Sequence, residues 1–348
     1  MTFDGDSKDL KQTQIVATLD TPLQKGKNGV WCASFLSAWK ALQTELAAEP
    51  IELEGGDKLV GLLNDATDLR PDIPADCLYT AVGWNDKGIV EKIRTDLKHG
   101  FPQKQPPDFP DILENSFVAY SYLEANIKFP RPYFQNREPL VFTDDLGQKT
   151  NINSFGIRPE DEYAYFDLRA QSRILFRKGG PRDSDLEFAI DLCASSSPSQ
   201  IVVARIPRQR SLAAALARVN KGMAESEERK RNDPGLAAAL EKVGPNDVLL
   251  VPDLFWRVYH RFTNLEGRTF KNTKMLGQRL DVAQQDIVFR LDRSGAELRS
   301  QAKFYCAPVP TRFVLDRPFL IYMKKRGAQS PYFLMWVDNA ELLHKWPK

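Results

Sequence analysis

The chain has 348 residues, 42% hydrophobic and 27% charged, with 48 Lys and Arg against 46 Asp and Glu for a formal charge of +2. That composition is ordinary for a globular protein and excludes a disordered chain. The near balance of charge gives no electrostatic reason to expect nucleic acid as the main partner. The longest apolar runs are strand-length, well short of the ~20 residues that cross a bilayer, so no membrane span is expected. The polar stretch Met1 to Gln14 has no signal-peptide core, which makes a cytoplasmic protein the expectation. Cys32, Cys77, Cys193 and Cys306 lie far apart without a C-x-x-C pair. Neither a zinc knuckle nor a disulfide scaffold is expected, nor any cofactor.

In chain order, residues 1–27 read as a polar N-terminal segment ahead of a single domain over 28–348. Val30, Trp31 and Cys32 form a short apolar stretch. Phe35, Trp39, Leu42 and Leu46 then follow at helical spacing, with Ser34 at the position of a capping hydroxyl. Asp86 to Lys98 predicts a second helix, and Gly100 to Pro110 a Pro-rich connection. The first third is thus expected to be mainly helical.

From residue 116 the period falls to two. Strands are predicted at Phe117 to Leu123, at Leu140 to Phe142 before the Asp144-Asp145-Leu146-Gly147 turn, and at Leu186 to Leu192. Ile201 to Ile206 follows, then a short helix from Ser211 to Asn220. Val248 to Pro252 and Ile287 to Leu291 give two more strands. Phe319 to Met323 and Tyr332 to Val337 read as a hairpin whose strands are buried on both faces. Helices first and strands later give an α+β class with large mixed sheets.

Enzyme motifs are missing: no G-x-S-x-G, G-x-x-x-x-G-K-[ST], H-E-x-x-H or G-x-G-x-x-G occurs. His99 precedes Gly100 and suits the end of a helix. His260 and His344 read as structural. A hydrolase pairing Ser37 or another serine with His260 stays open, because such triads assemble in space. Glu225 to Arg231 reads either as a partner-docking patch or as the solvated end of a helix.

Several stretches resemble the serpin family. Phe313 to Met323 is similar to the signature F-x-A-D-R-P-F-L-F-x-I, and Tyr332 to Asn339 to the closing strand L-F-M-G-R-V-x-N. Gln285 to Glu297 resembles H-K-A-x-x-x-x-x-E-x-G-T-E without a gap. Ser34-Phe35-Leu36-Ser37 is similar to the S-P-x-S opening of that family's helix B, and Leu140 to Ile152 to its F-x-x-x-D-G-x-x-V stretch. The similarity runs from about residue 28 and is poor between residues 50 and 115.

The resemblance implies a helix-and-sheet serpin-like domain with a reactive-loop equivalent at about 296–312. In inhibitory serpins a protease cleaves this loop, which then inserts as a strand and traps the acylated protease. It implies a hinge at Gly295, Ala296, Glu297, Leu298, Arg299 and Ser300. The scissile region falls among Phe304, Tyr305, Cys306, Ala307, Pro308 and Val309, and a sheet-opening region at Ser34, Ser37 and Gln285. This chain departs from the pattern in ways that bear on insertion. Leu298 is large for an inward slot, where overpacking costs about 1–3 kcal/mol. Arg299 and Lys303 add charge to the hinge, Arg293 replaces a Glu, Gln285 a His and Phe35 a Pro. The loop is shorter by roughly four residues, or about 13 Å of strand. Cys306 reads as a packed small hydrophobe or as a reactive thiol. The expected function is a non-inhibitory, non-catalytic binding or structural protein that meets a protease or another protein through 303–312. The alternative is a trap for a serine or cysteine endopeptidase.

Overall fold

The computed structural model describes residues 1–56, 58–101, 115–125, 127–158, 162–180, 186–233, 241–244, 246–293 and 311–347. Strands and helices are numbered in chain order. The largest sheet runs β10 (Arg173–Lys178), β11 (Glu187–Asp191), β12 (Ser199–Arg205), β19 (Phe319–Lys325), β20 (Phe333–Val337), β3 (Asn28–Cys32) and β2 (Thr13–Ile15). A second sheet joins β1 (Phe3–Asp6), β14 (Leu254–Arg261) and β17 (Gln284–Leu291). A third joins β18 (Arg312–Val314), β13 (Val248–Pro252), β9 (Ser154–Ile157) and β6 (Phe134–Gln135). Three antiparallel pairs complete the strands: β4 (Leu78–Trp84) with β5 (Phe117–Leu123), β7 (Leu140–Thr143) with β8 (Lys149–Ile152), and β15 (Arg268–Thr269) with β16 (Arg279–Leu280). The α-helices are α1 (Ala33–Ala41), α2 (Lys58–Asp65), α3 (Ile89–Gly100), α4 (Glu162–Gln171) and α5 (Leu212–Asn232). The fold is α+β, as expected.

The hairpin β19–β20 forms the spine. Phe319 to Met323 and Phe333 to Val337 are buried without a break, the pattern of strands covered on both faces. The second sheet packs over this spine through an aromatic seam. Phe289 of β17 stacks on Phe333 of β20 with ring centroids 4.5 Å apart, and Trp256 of β14 lies 5.8 Å from Phe289. Strict alternation in β17 puts Gln285, Ile287, Phe289 and Leu291 inward, and Gln284, Asp286, Val288 and Arg290 outward.

Several expectations shift. The first third is mixed rather than mainly helical, because β1 to β4 and part of the aromatic core fall within it. Residues 1–27 are polar yet pack as part of the body: β1 pairs in parallel with β14, and β2 with β3. Side chains from the C-terminal end hold the backbone leading into β2 and β3. The Glu341 carboxylate accepts from the backbone N–H groups of Lys11 and Gln12, and Asn339 Nδ2 donates to the Gln12 and Gly26 carbonyls. Ser34 does not cap α1; Cys32, in extended conformation, occupies that position without a side-chain bond. The helix predicted to end near Asn220 continues to Asn232. Its buried stripe Leu212, Ala215, Val219, Gly222, Ser226 and Lys230 keeps helical spacing throughout. Glu225 to Arg231 is therefore helix, with Lys230 turned inward to Glu227 and Glu241.

Among the described residues no helix is long and apolar enough to cross a membrane.

Candidate functional site

The strand β3 runs directly into α1, and β17 crosses above that junction. Gln285, at the inward start of β17, is 4% exposed. Its Nε2 donates to the Cys32 carbonyl and to Ser34 Oγ, both at 2.9 Å. Two of the three residues expected to form the sheet-opening region thus meet. Ser37, one turn further along α1, is buried as well but lies outside this bonded set. Burial pushes the Cys32 thiol up, so it stays protonated beside Ser34 Oγ, 3.6 Å away. Phe35 fills its position by packing on Phe262, with ring centroids 4.1 Å apart.

Helix α1 supports two separate sheets. It packs against β4 and β5 and also against β17. Asp286 on the outer face of β17 is near enough to Tyr120 of β5 to help burial hold that phenol up, at about 12. Tyr122 is raised as well, by burial first and then by Glu124. The two sheets therefore stand side by side over one helix.

Beyond β17 the chain leads to the loop. Arg293, which stands where the family pattern has Glu, donates from Nε to the Tyr133 carbonyl at 3.0 Å. On the far side the Thr311 N–H donates to Asp247 Oδ1 at 2.7 Å, and β18 pairs in parallel with β13. The chain thus leaves β17 of the second sheet and enters β18 of the third, and both bonds at its ends go to residues beside strands of the third sheet. The expected hinge, Gly295 to Ser300, and the expected scissile region, Phe304 to Val309, lie outside the described residues. Nothing in the sequence marked Arg293–Tyr133 or Thr311–Asp247, since each bond joins residues brought together only by folding.

The histidines take unremarkable places with one exception. His99 Nδ1 meets the Thr95 carbonyl at 2.8 Å in the last turn of α3, as its position before Gly100 suggests. His260 Nδ1 lies 2.7 Å from Oγ of Ser7, not of Ser37. Burial lowers the imidazole pKa, opposed by Asp6. Asp6 Oδ1 accepts from the Lys8 N–H instead, and among the described residues no carboxylate is hydrogen-bonded to the ring. Without an orienting carboxylate this pair lacks the third member of a triad. Among the described residues no three of His, Cys, Asp or Glu gather as metal ligands.

Solved structures similar to this one include serpins. Thyroxine-binding globulin in complex with thyroxine is 12% identical, covers 92% of this chain and 94% of its own, and gives a TM-score of 0.47. Protease nexin-1 with heparin is 10% identical over 90% and 92%, with a TM-score of 0.48. Serpin48 of the insect Tenebrio molitor is 11% identical over 90% and 92%, at 0.45. At that identity and overlap no residue's role carries across. No family model matches the sequence, and no curated protein matches it.

Proposed function

We propose that this chain is a serpin-like binding protein that presents residues 303–312 to a protein partner and acts without catalysis. The observation that carries this reading is that the chain leaves the second sheet at β17 and re-enters the third at β18, with Arg293 bonded to Tyr133 and Thr311 to Asp247, each just ahead of a strand of the third sheet. A segment held at both ends of a rigid scaffold is suited to recognition. The hinge composition argues for binding over insertion, because Leu298 is large for an inward slot and Arg299 and Lys303 add charge to the hinge. A cytoplasmic location goes with this reading, as does a boundary between the segment 1–27 and the domain 28–348 in sequence character.

The second reading, a protease trap, is favoured by the two sheets resting side by side on α1, since a strand added there joins them. One experiment separates the two. The protein is incubated with a panel of serine and cysteine endopeptidases, then assayed by denaturing gel and by thermal melt. Binding without trapping gives cleavage at 303–310, no SDS-resistant adduct and a melting temperature within a few degrees of the intact protein. A stoichiometric SDS-resistant adduct, with a large rise in melting temperature after cleavage, overturns the binding reading in favour of the trap.

A further inference from the structure

The turn between β7 and β8 is tied to the rest of the molecule through a buried charge cluster. Asp144 uses its carboxylate inside the turn, where Oδ1 accepts from the Leu146 and Gln148 N–H groups at 2.9 and 2.7 Å. Asp145 faces the body instead. Its carboxylate lies 3.4 Å from Arg208 Nε, and the same nitrogen lies 3.5 Å from the Asp338 carboxylate. Asp338 follows β20 directly, and its side chain is fully buried. Its N–H donates to Asn28 Oδ1 at 2.8 Å, and Trp336 Nε1 donates to its Oδ2 at 3.4 Å. Arg208 is held from another side as well, since its terminal nitrogen donates to the Leu23 carbonyl at 2.6 Å. Leu146 places Cδ1 3.0 Å from where a Cβ on Gly26 would lie. One turn thus rests on three segments distant in sequence.

A single guanidinium faces two carboxylates, so this cluster carries a net charge of −1 when both acids are ionised. Asp145 Oδ2 and Asp338 Oδ1 are both buried without a hydrogen-bond donor. An uncompensated charge out of water is costly, and two carboxyl groups sharing a site relieve it by keeping one proton between them. The hydroxyl so formed supplies the donor that the surrounding protein lacks. Asp145 and Arg208 are the charged groups that act on Asp338. Burial first, then Asp145, push the Asp338 carboxyl up to about 6, opposed by Trp336 and Arg208.

We propose that a proton shared by Asp145 and Asp338 latches the β7–β8 turn onto the end of β20, and that loss of this proton to water releases the turn. With the proton in place the cluster is neutral, one carboxyl and one carboxylate on one guanidinium. Without it, two carboxylates repel across the contact that docks the turn. Because the latched form holds the proton to higher pH than the released form, latching is complete below about 4 and fades as pH rises through about 6. The effect lies close to the exit of the loop. At the end of β7 the Thr143 N–H donates to the Asp316 carbonyl at 2.8 Å, two residues past β18. The latch stands whether or not the loop meets a partner.

Hydrogen exchange of the full-length protein tests this, read by mass spectrometry on peptides spanning 140–149 and corrected for the intrinsic pH dependence of exchange. Protection of this hairpin is expected to fall about tenfold between about pH 5 and about pH 8. Asp338→Asn is expected to keep the high protection at both values, because its amide donates as the shared hydroxyl does. Asp145→Asn is expected to reduce the fall to less than about threefold, since its amide donates to the Asp338 carboxylate. In the parent protein, carboxyl NMR with labelled aspartate is expected to show one group titrating near about 6, absent from Asp338→Asn. Equal protection at both pH values, an unchanged fall in both variants, or no aspartate titrating above about 5 overturns the proposal. The two measurements on the parent protein decide the matter even where neither variant folds.

Discussion

Gln285 shows how much one side chain decides. Where the family pattern places His, its carboxamide still donates to the Cys32 carbonyl and Ser34 Oγ, but it carries no titratable ring. Gln285→Leu is expected to destabilise the protein by about 1–3 kcal/mol, because two buried acceptors lose their donor. Urea denaturation measures this, and an unchanged midpoint sinks the idea that this contact holds β17 on the β3–α1 junction. Asp338 makes a second case at this scale. It is fully buried at the end of β20, and the Arg208 Nε lies 3.4 Å from Asp145 and 3.5 Å from Asp338. Burial and the neighbouring Asp145 push its carboxyl up from 3.8 to about 6. A raised acid pKa means that the folded state holds the proton to higher pH than the unfolded chain. The stability contributed is fully present below about 4 and is lost as pH rises through about 6. Asp338→Asn is expected to flatten the melting-temperature profile across that window. A profile as steep as that of the parent protein shows that other groups set it.

Among the elements, close backbone approach and capping carry the sharpest predictions. Gly156 sits in β9 where a Cβ would lie 1.7 Å from the Leu249 carbonyl oxygen of β13. Backbone cannot yield as a side chain does, so Gly156→Ala is expected to cost about 3 kcal/mol or more and to lower the melting temperature sharply. Survival of the variant at parental stability contradicts the β9–β13 packing. At the start of α5, Ser211 Oγ accepts from the Ala214 N–H at 3.2 Å. Ser211→Ala is expected to cost about 1 kcal/mol, the usual worth of a capping hydroxyl, read as a shift in denaturation midpoint with an unchanged slope. Element identity was legible where the apolar pattern was long. The alternation Ile287, Phe289, Leu291 gave β17, and the continuous runs at 319–323 and 333–337 gave the buried hairpin. Ser34 misled because a capping residue is identified by backbone conformation, and Cys32 is the one that is extended. The strands β1 and β2 were missed because their residues are polar and what holds them lies far along the chain, β14 for β1 and Glu341 with Asn339 for β2.

For the whole molecule, the N-terminal segment tests how the sheets are integrated. β1 covers one edge of β14, and the Thr2 N–H donates to the Phe255 carbonyl at 2.6 Å. Deleting residues 2–6 uncovers that edge and is expected to lower the melting temperature and to promote association at high concentration. A truncated protein that melts and sediments as the full chain does shows that β1 is dispensable trim.

Composition and periodicity alone determined that this is a globular α+β protein. Local signals did so because apolar spacing reports burial wherever a segment is amphipathic or wholly buried. They also singled out Ser34 and Gln285, though only by resemblance. What tertiary structure decided is everything that depends on distant residues meeting: Gln285 over Ser34, Ser7 on His260, and Arg293 on the Tyr133 carbonyl. Hydrogen bonds and ion pairs across hundreds of residues leave no period in the sequence. They form only after hydrophobic burial has fixed which strands are neighbours, and the chemistry of each site follows from that order.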